Sequence, residues 1–204
     1  DVAPSRGLGD VYKRQRPSLK RIRVEGMYLD EQELFDLRRS LETIRDIVRF
    51  LQKSDDDEEE GASPYPCLKR LAGDITVFPQ LIAKINGILS PYGKIKDNAS
   101  TELARIRREL TSTMGSISRS LNSILRNAQS EGVVDKDVTP TMRDGRLVIP
   151  VAPALKRKIR GIVHDESASG KTVFIEPAEV VEANNRIREL EGDERREIIR
   201  ILTD

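Results

Sequence analysis

Tryptophan is absent from this chain of 204 residues, cysteine and histidine occur once each, and aromatic residues make up only 4% of it. A single cysteine, Cys67, excludes a disulfide framework, and with a single histidine, His164, it also excludes a Cys/His zinc cluster; a reducing, cytoplasmic setting is the expectation. No apolar run approaches the ~20 residues that cross a bilayer, and no signal-peptide core stands near the start, so no membrane partner is expected. Net charge is also missing: Lys and Arg total 35 against 34 Asp and Glu, leaving +1. No global field favours a nucleic acid, so any such surface has to be local. What the chain does have is charge of both signs, 34% of residues against a usual ~25%, a composition that favours long solvated helices. Its length allows one or two domains.

Residues 1–15 show neither helical nor strand periodicity, and GLGDVYKRQ looks like translated adapter sequence, so this segment is set apart as a non-native tail. RPSLKRIRVEGMYL is no plausible initiation region, and REIIRILTD stops inside a helical pattern; an internal fragment of a longer protein is expected. Between residues 30 and 53, Leu34, Leu37, Leu41, Ile44, Val48 and Leu51 recur at steps of three and four, the stripe of a helix opened by an Asp30/Glu33 capping box. SDDDEEEGASP repels itself and reads as a solvated loop. Short helices are expected at 66–71 and 79–89, separated by Gly73 and stopped before Pro91. The longest helix is expected at 100–130, with Leu103, Ile106, Leu110, Met114, Ile117, Leu121, Ile124 and Ala128 inward. Arg105, Arg107, Arg108, Glu109, Arg119 and Arg126 lie opposite, read as an ordinary solvated face in preference to a nucleic-acid surface.

The periodicity then changes. Residues 137–177 are rich in valine, isoleucine and threonine, and Asp144-Gly145 between TPTMR and RLVIPV is a strong hairpin signal. RGIVHDE and KTVFIE, flanking Ser167 to Gly170, suggest a second hairpin. Pro177 opens a last helix with Val180, Ala183, Ile187, Leu190, Ile198 and Ile201 on its stripe, broken at Gly192. The expected fold is mainly α with a small antiparallel β insertion, the sheet carried at the tip of long lever helices.

Gly170-Lys171-Thr172 resembles the end of a phosphate-binding loop, but Asp165 stands where the leading glycine belongs and a strand follows instead of a helix. A hairpin turn is the better reading. His164, Asp165, Glu166, Ser167 and Ser169 cannot form a catalytic triad among themselves, because neighbours on a strand face opposite ways. The basic run Lys156, Arg157, Lys158 and Arg160, joined by Arg143, Arg146 and Lys171, fits charge contacts to phosphates. It fits a plain solvated sheet edge equally well. On an extended segment Lys156, Lys158 and Arg160 would share one side and Arg157 the other.

GKIKDNASTELARIRREL, DGRLVIPV and GIVHDESASGKTVFIEP together resemble the MutS family of DNA mismatch-repair ATPases, in its second bacterial branch, which carries a C-terminal Smr nuclease module. The match extends from about residue 16 to the end. The resemblance implies that 16–136 and 178–204 are helical core or lever, and that 137–177 form a clamp closing on a nucleic-acid backbone. Lys156, Arg157, Lys158, Arg160, Arg146 and Lys171, read from the local basic run, are the candidate backbone contacts of that clamp. It implies no catalytic residue, metal ligand or cofactor in this chain, and an ATPase using ATP and magnesium, with endonuclease activity, in the full-length parent. DNA or a stalled ribosome is the implied partner, and a homodimer the implied assembly. A structural helical dimerisation module is the alternative kept open.

Overall fold

The computed structural model describes residues 8–53 and 65–204, so the expected acidic loop at 54–64 lies outside the described residues. Contacts divide the chain into two compact units, one of residues 1–101 and 198–204, the other of residues 102–197. The sheet thus shares a unit with the long helices on either side of it in sequence. The bounds of the second unit fall at 101/102 and 197/198.

The first unit contains α1 (Leu8–Arg21), α2 (Glu31–Lys53), α3 (Pro66–Gly73) and α4 (Pro79–Ile88). α1 begins within the stretch expected to lack periodicity and continues past residue 15. The capping box at α2 is present: the Glu33 N–H donates to Asp30 Oδ1 at 2.8 Å and the Asp30 N–H to Glu33 Oε2 at 3.0 Å. Arg21 and Ser18 also donate to the Glu33 carboxylate. The Arg21 bond, foremost, holds its pKa at about 2. Proline occupies the first position of α3 and α4, where a missing N–H costs nothing. Leu29, Val48, Ala72, Ile82, Ile85, Leu89 and Ile95 are buried. The α2 stripe is only partly covered, since Ile44 is exposed. Buried Arg38 ties α2 to the loop after α4, donating to the carbonyls of Ser90 and Pro91 at 3.0 and 3.3 Å.

The second unit is built on α5 (Thr101–Ser130), a four-stranded sheet and α6 (Val181–Thr203), whose last residues belong to the first unit. The strands are β1 (Thr141–Arg143), β2 (Arg146–Val151), β3 (Gly161–Glu166) and β4 (Val173–Pro177), antiparallel in the order β1-β2-β4-β3. Both hairpins expected from the sequence are there. Asp144 (φ 48°) and Gly145 (φ 72°) adopt the paired left-handed conformations of a type I′ turn. β1 pairs with β2 only as far as Val148, so Pro150 meets no β1 partner that would need its missing N–H. The register of β3 on β4 slips between Val163 and Asp165, which sets His164 at a bulge.

The core joins Ile117, Leu121, Leu125 and Ala128 of α5 to Ile149 and Val151 of β2, Val173 and Ile175 of β4, and Ile187 of α6. One expectation about the stripe fails: Met114 is 42% exposed. Ile124 packs against the core as expected, and Leu125, which the spacing did not mark, is buried beside it. α6 also runs without a break through Gly192, because one interior glycine costs only about 1 kcal/mol against the burial of Ile187, Leu190 and Ile201. Arg107 to Glu194 at 2.6 Å and Arg186 to Glu109 at 2.7 Å link α5 with α6 inside this unit.

Two glycines should respond in opposite directions to alanine. A Cβ on Gly161 would lie 2.1 Å from the Glu176 carbonyl oxygen and 2.9 Å from Pro177 Cα, so β3 could not keep its place against β4. A Cβ on Gly192 meets only the mobile end of Arg196, at 3.4 Å. Gly161→Ala is expected to lower the urea midpoint of the second unit sharply, and Gly192→Ala to raise its stability by about 0.5–1 kcal/mol.

Candidate nucleic-acid interface

The connection from β2 to β3 carries the basic run, and it is not extended. Ala152 leaves β2, Pro153 supplies a preset φ, and Pro153–Lys158 forms a 3-10 helix in which the Leu155 N–H donates to the Ala152 carbonyl at 2.9 Å. With about three residues per turn, consecutive side chains fan out at roughly 120°. The expected alternation of Lys156, Lys158 and Arg160 against Arg157 is therefore corrected. Partly buried Leu155 packs on the core and Ile159 is within it, pinning the segment from below. Lys156, Arg157, Lys158 and Arg160 all stand exposed.

None of these four cations has a carboxylate partner among the described residues. The run from Gly145 to His164 contains no acidic residue at all, in a chain where one residue in six is Asp or Glu. Lys158 and Arg160 also border an open groove beside Asn127 and Ala128 of α5, with Glu131 and Glu179 at its margin.

Lys171 is exposed in the turn between β3 and β4. There the Gly170 N–H donates to the Ser167 carbonyl at 2.7 Å, the Ser167 N–H to the Thr172 carbonyl at 2.8 Å, and the Thr172 N–H to Ser167 Oγ at 3.0 Å. The turn uses these N–H groups internally, so they do not form a phosphate cradle, and strand β4 follows. The Arg143 guanidinium lies 4.2 Å from the centroid of the Phe174 ring. Among the described residues no group of acidic, histidine or cysteine side chains could hold a metal ion, and no helix is long and apolar enough to cross a membrane.

Arg146 is differently placed. Its guanidinium donates to Glu176 Oε1 at 2.7 Å and to Asn185 Oδ1 at 2.8 Å. Arg146 is thus an internal tie, not an outward cation of the basic run. Glu176, which nothing in the sequence pattern marked, is fully buried. Its carboxylate also accepts the Asn184 amide at 2.8 Å and contacts His164 Nε2 at 2.5 Å. Burial by itself would raise this carboxyl; the bonds from His164, Asn184 and Arg146 outweigh it and hold the pKa below the usual carboxylate range. Asn184 further brackets Leu147, accepting its N–H at 3.4 Å and donating to its carbonyl at 3.3 Å. One carboxylate thereby joins β2, β3, β4 and α6.

Glu176→Ala should leave the Arg146 guanidinium partly buried and unpaired, at a cost of about 3–5 kcal/mol. Because the folded-state pKa is lowered, the stabilisation is complete above the unfolded carboxyl value near 4.5 and is lost as pH falls through the lower folded value. The difference in unfolding free energy between the wild type and Glu176→Gln should therefore be constant at neutral pH and shrink below about pH 4.5. A constant difference down to acid pH would contradict an ionised Glu176.

No family model matches the chain. Curated relatives do. It is 39% identical over 180 residues to the endonuclease MutS2 of Finegoldia magna, an alignment covering 88% of this chain and 22% of the relative. It is 38% identical over 180 residues to the endonuclease MutS2 of Pelotomaculum thermopropionicum, with the same coverage of each. With the endonuclease MutS2 of a Geobacillus species it shares 35% identity over 201 residues, 98% of this chain and 24% of the relative, so that alignment takes in part of the first 15 residues. The chain thus spans less than a quarter of the length of the relatives it matches. Identity at this level over most of its length shows that the chain belongs to the MutS2 family, corresponding to one segment of those longer proteins.

Proposed function

We propose that the chain is a core and clamp segment of a MutS2-type protein acting in DNA repair or recombination control, and that its sheet unit grips a nucleic-acid backbone. The observation that carries this reading is the acid-free run 145–164, from which Lys156, Arg157, Lys158 and Arg160 project without carboxylate partners among the described residues. Lys171, exposed on the β3–β4 turn, is the further contact. Flexible lysines and arginines of this kind neutralise phosphates and release condensed counterions, and they read no bases. The internal ties of Arg146 make it a support for the sheet in this reading.

The chain itself acts as a binding element and not as an enzyme. ATP hydrolysis with magnesium, endonuclease activity, homodimerisation and a cytoplasmic setting are assigned to the full-length parent. A stalled ribosome is the alternative partner, and ribosomal RNA would present the same phosphates. A helical pairing module is the second reading, favoured by the exposure of Ile47 and Phe50 on α2 and Leu68 and Leu71 on α3.

A salt titration of binding to labelled duplex DNA tests the proposal. The logarithm of affinity should fall linearly with the logarithm of salt, and replacing Lys156, Arg157, Lys158 and Arg160 by alanine should flatten the slope by about 0.9 for each phosphate that is no longer neutralised. Single replacements of the three cations on the 3-10 helix should have comparable effects, about equal on unrelated sequences. Tighter binding to ribosomes than to DNA would favour the alternative partner. Self-association abolished by Phe50→Asp, without any nucleic-acid binding, would favour the pairing module.

A further inference from the structure

The basic run is not the only surface of the second unit without acidic groups. α5 divides sharply along its length. In its first third, Arg105 pairs with Glu102 and Glu109, and Arg107 with Glu194. From Leu110 to Ser130 the helix then contains no acidic residue. Arg119 and Arg126 are exposed on that length, and neither has a carboxylate partner among the described residues. The Arg126 Nε–H donates to the Asn122 carbonyl of its own helix at 3.3 Å, leaving the end of the guanidinium available. Asn122, Ser123, Asn127 and Ser130 are exposed around these arginines.

Positions 119, 122, 123, 126 and 130 follow helical steps and share one side of α5. Arg119, Asn122, Leu125, Arg126 and Gln129 also line an open groove on the helix surface. Residues 75–96 are likewise free of acidic groups, yet their lysines are engaged: Lys84 donates to the Asp204 carbonyl, Lys96 to the Asn86 carbonyl, and Lys94 lies 3.5 Å from Glu31. Lack of acidic residues together with unpaired arginines is what distinguishes α5.

We propose that this face of α5, centred on Arg119, Ser123 and Arg126, is a second contact surface for the backbone of duplex DNA, acting beside the basic run 156–160. The inference rests on the nucleic-acid reading of the sheet unit and extends it to a helix that the sequence pattern assigned to solvent. Arg119 and Arg126 are seven residues apart, about 10 Å along the helix axis, far enough for the two guanidinium groups to meet different phosphates. Guanidinium, hydroxyl and amide groups are donors that commonly meet phosphate oxygens. With no carboxylate interleaved, nothing on this face repels a polyanion at short range. Glu131, just past the end of α5, marks its limit.

The test compares the full 204-residue chain with Arg119→Ala/Arg126→Ala, with Ser123→Asp and with Ser123→Asn in salt titrations against duplex DNA. Arg108→Ala/Arg195→Ala is the control, removing equal charge from exposed sites outside this face. All replaced side chains are exposed, so melting temperatures should be unchanged. The expected result is a slope reduced by up to about 1.8 for Arg119→Ala/Arg126→Ala, from two phosphates at about 0.9 each. Ser123→Asp should weaken binding several-fold at low salt, and Ser123→Asn and the control should behave as wild type. If the slope falls when residues 156–160 are neutralised but not in Arg119→Ala/Arg126→Ala, or if the control matches that variant, the α5 surface is overturned and the clamp reading stands. If the wild-type chain shows no salt-sensitive binding to DNA, both are overturned. Preference for structured RNA over duplex DNA at the same arginines would overturn the commitment to DNA.

Discussion

The second unit depends on a buried negative charge. Glu176 lies in β4, a strand whose five residues are all buried, and a carboxylate there is tolerable only with donors on every side. Arg146 reaches it from β2, His164 from the bulge in β3, and Asn184 from α6. Each donor belongs to a different element, so the carboxylate fixes the register of three strands and the seating of α6 on them at once. Apolar packing alone tolerates small slips between surfaces, whereas a carboxylate with specific hydrogen-bond partners does not. Gly161 meets the same constraint from the backbone side, because β3 approaches the Glu176 carbonyl too closely for any side chain.

This arrangement gives the basic run a rigid base. The 3-10 helix at Pro153–Lys158 hangs between β2 and β3, the two strands that Arg146 and His164 tie to β4. Leu155 within it and Ile159 just after it face the core while its cations stand exposed. Ordering long side chains against a polyanion costs conformational entropy, and a fixed backbone under them leaves less to be ordered on binding. The segment is thus suited to phosphate contact by its scaffold as much as by its composition.

What could be read in the sequence follows the range of the interactions involved. Helices α2 and α5 and both hairpins were legible because stripes, a capping box and the Asp144-Gly145 pair act over a few residues. Glu176 was not, since its partners Arg146, His164 and Asn184 lie 30, 12 and 8 residues away and no local pattern marks a carboxylate that will be buried. The 3-10 helix was hidden for a related reason: PALKRK has neither a full helical stripe nor strand alternation, and its conformation follows from spanning two strands. Gly192 misled in the other direction, because the local cost of a glycine is smaller than the burial of residues on both sides of it. Arg146 was misplaced by charge alone, which does not tell an arginine that meets a buried carboxylate from one that meets solvent.

Two populations among the cations of the second unit therefore differ in their physics. Arg107, Arg146 and Arg186 face carboxylates at 2.6 to 2.7 Å and join separate elements. A polyanion could recruit them only by breaking those pairs and, for Arg146, by leaving a buried carboxylate behind. Lys156, Arg157, Lys158, Arg160, Arg119 and Arg126 have no such competitor among the described residues. Phosphate contact there displaces only water and mobile ions, and the released ions are themselves a driving force. In the proposed reading a net charge of +1 is no obstacle to holding a polyanion, because at a Debye length near 8–10 Å a surface is felt by its nearest charges and not by the sum over the molecule.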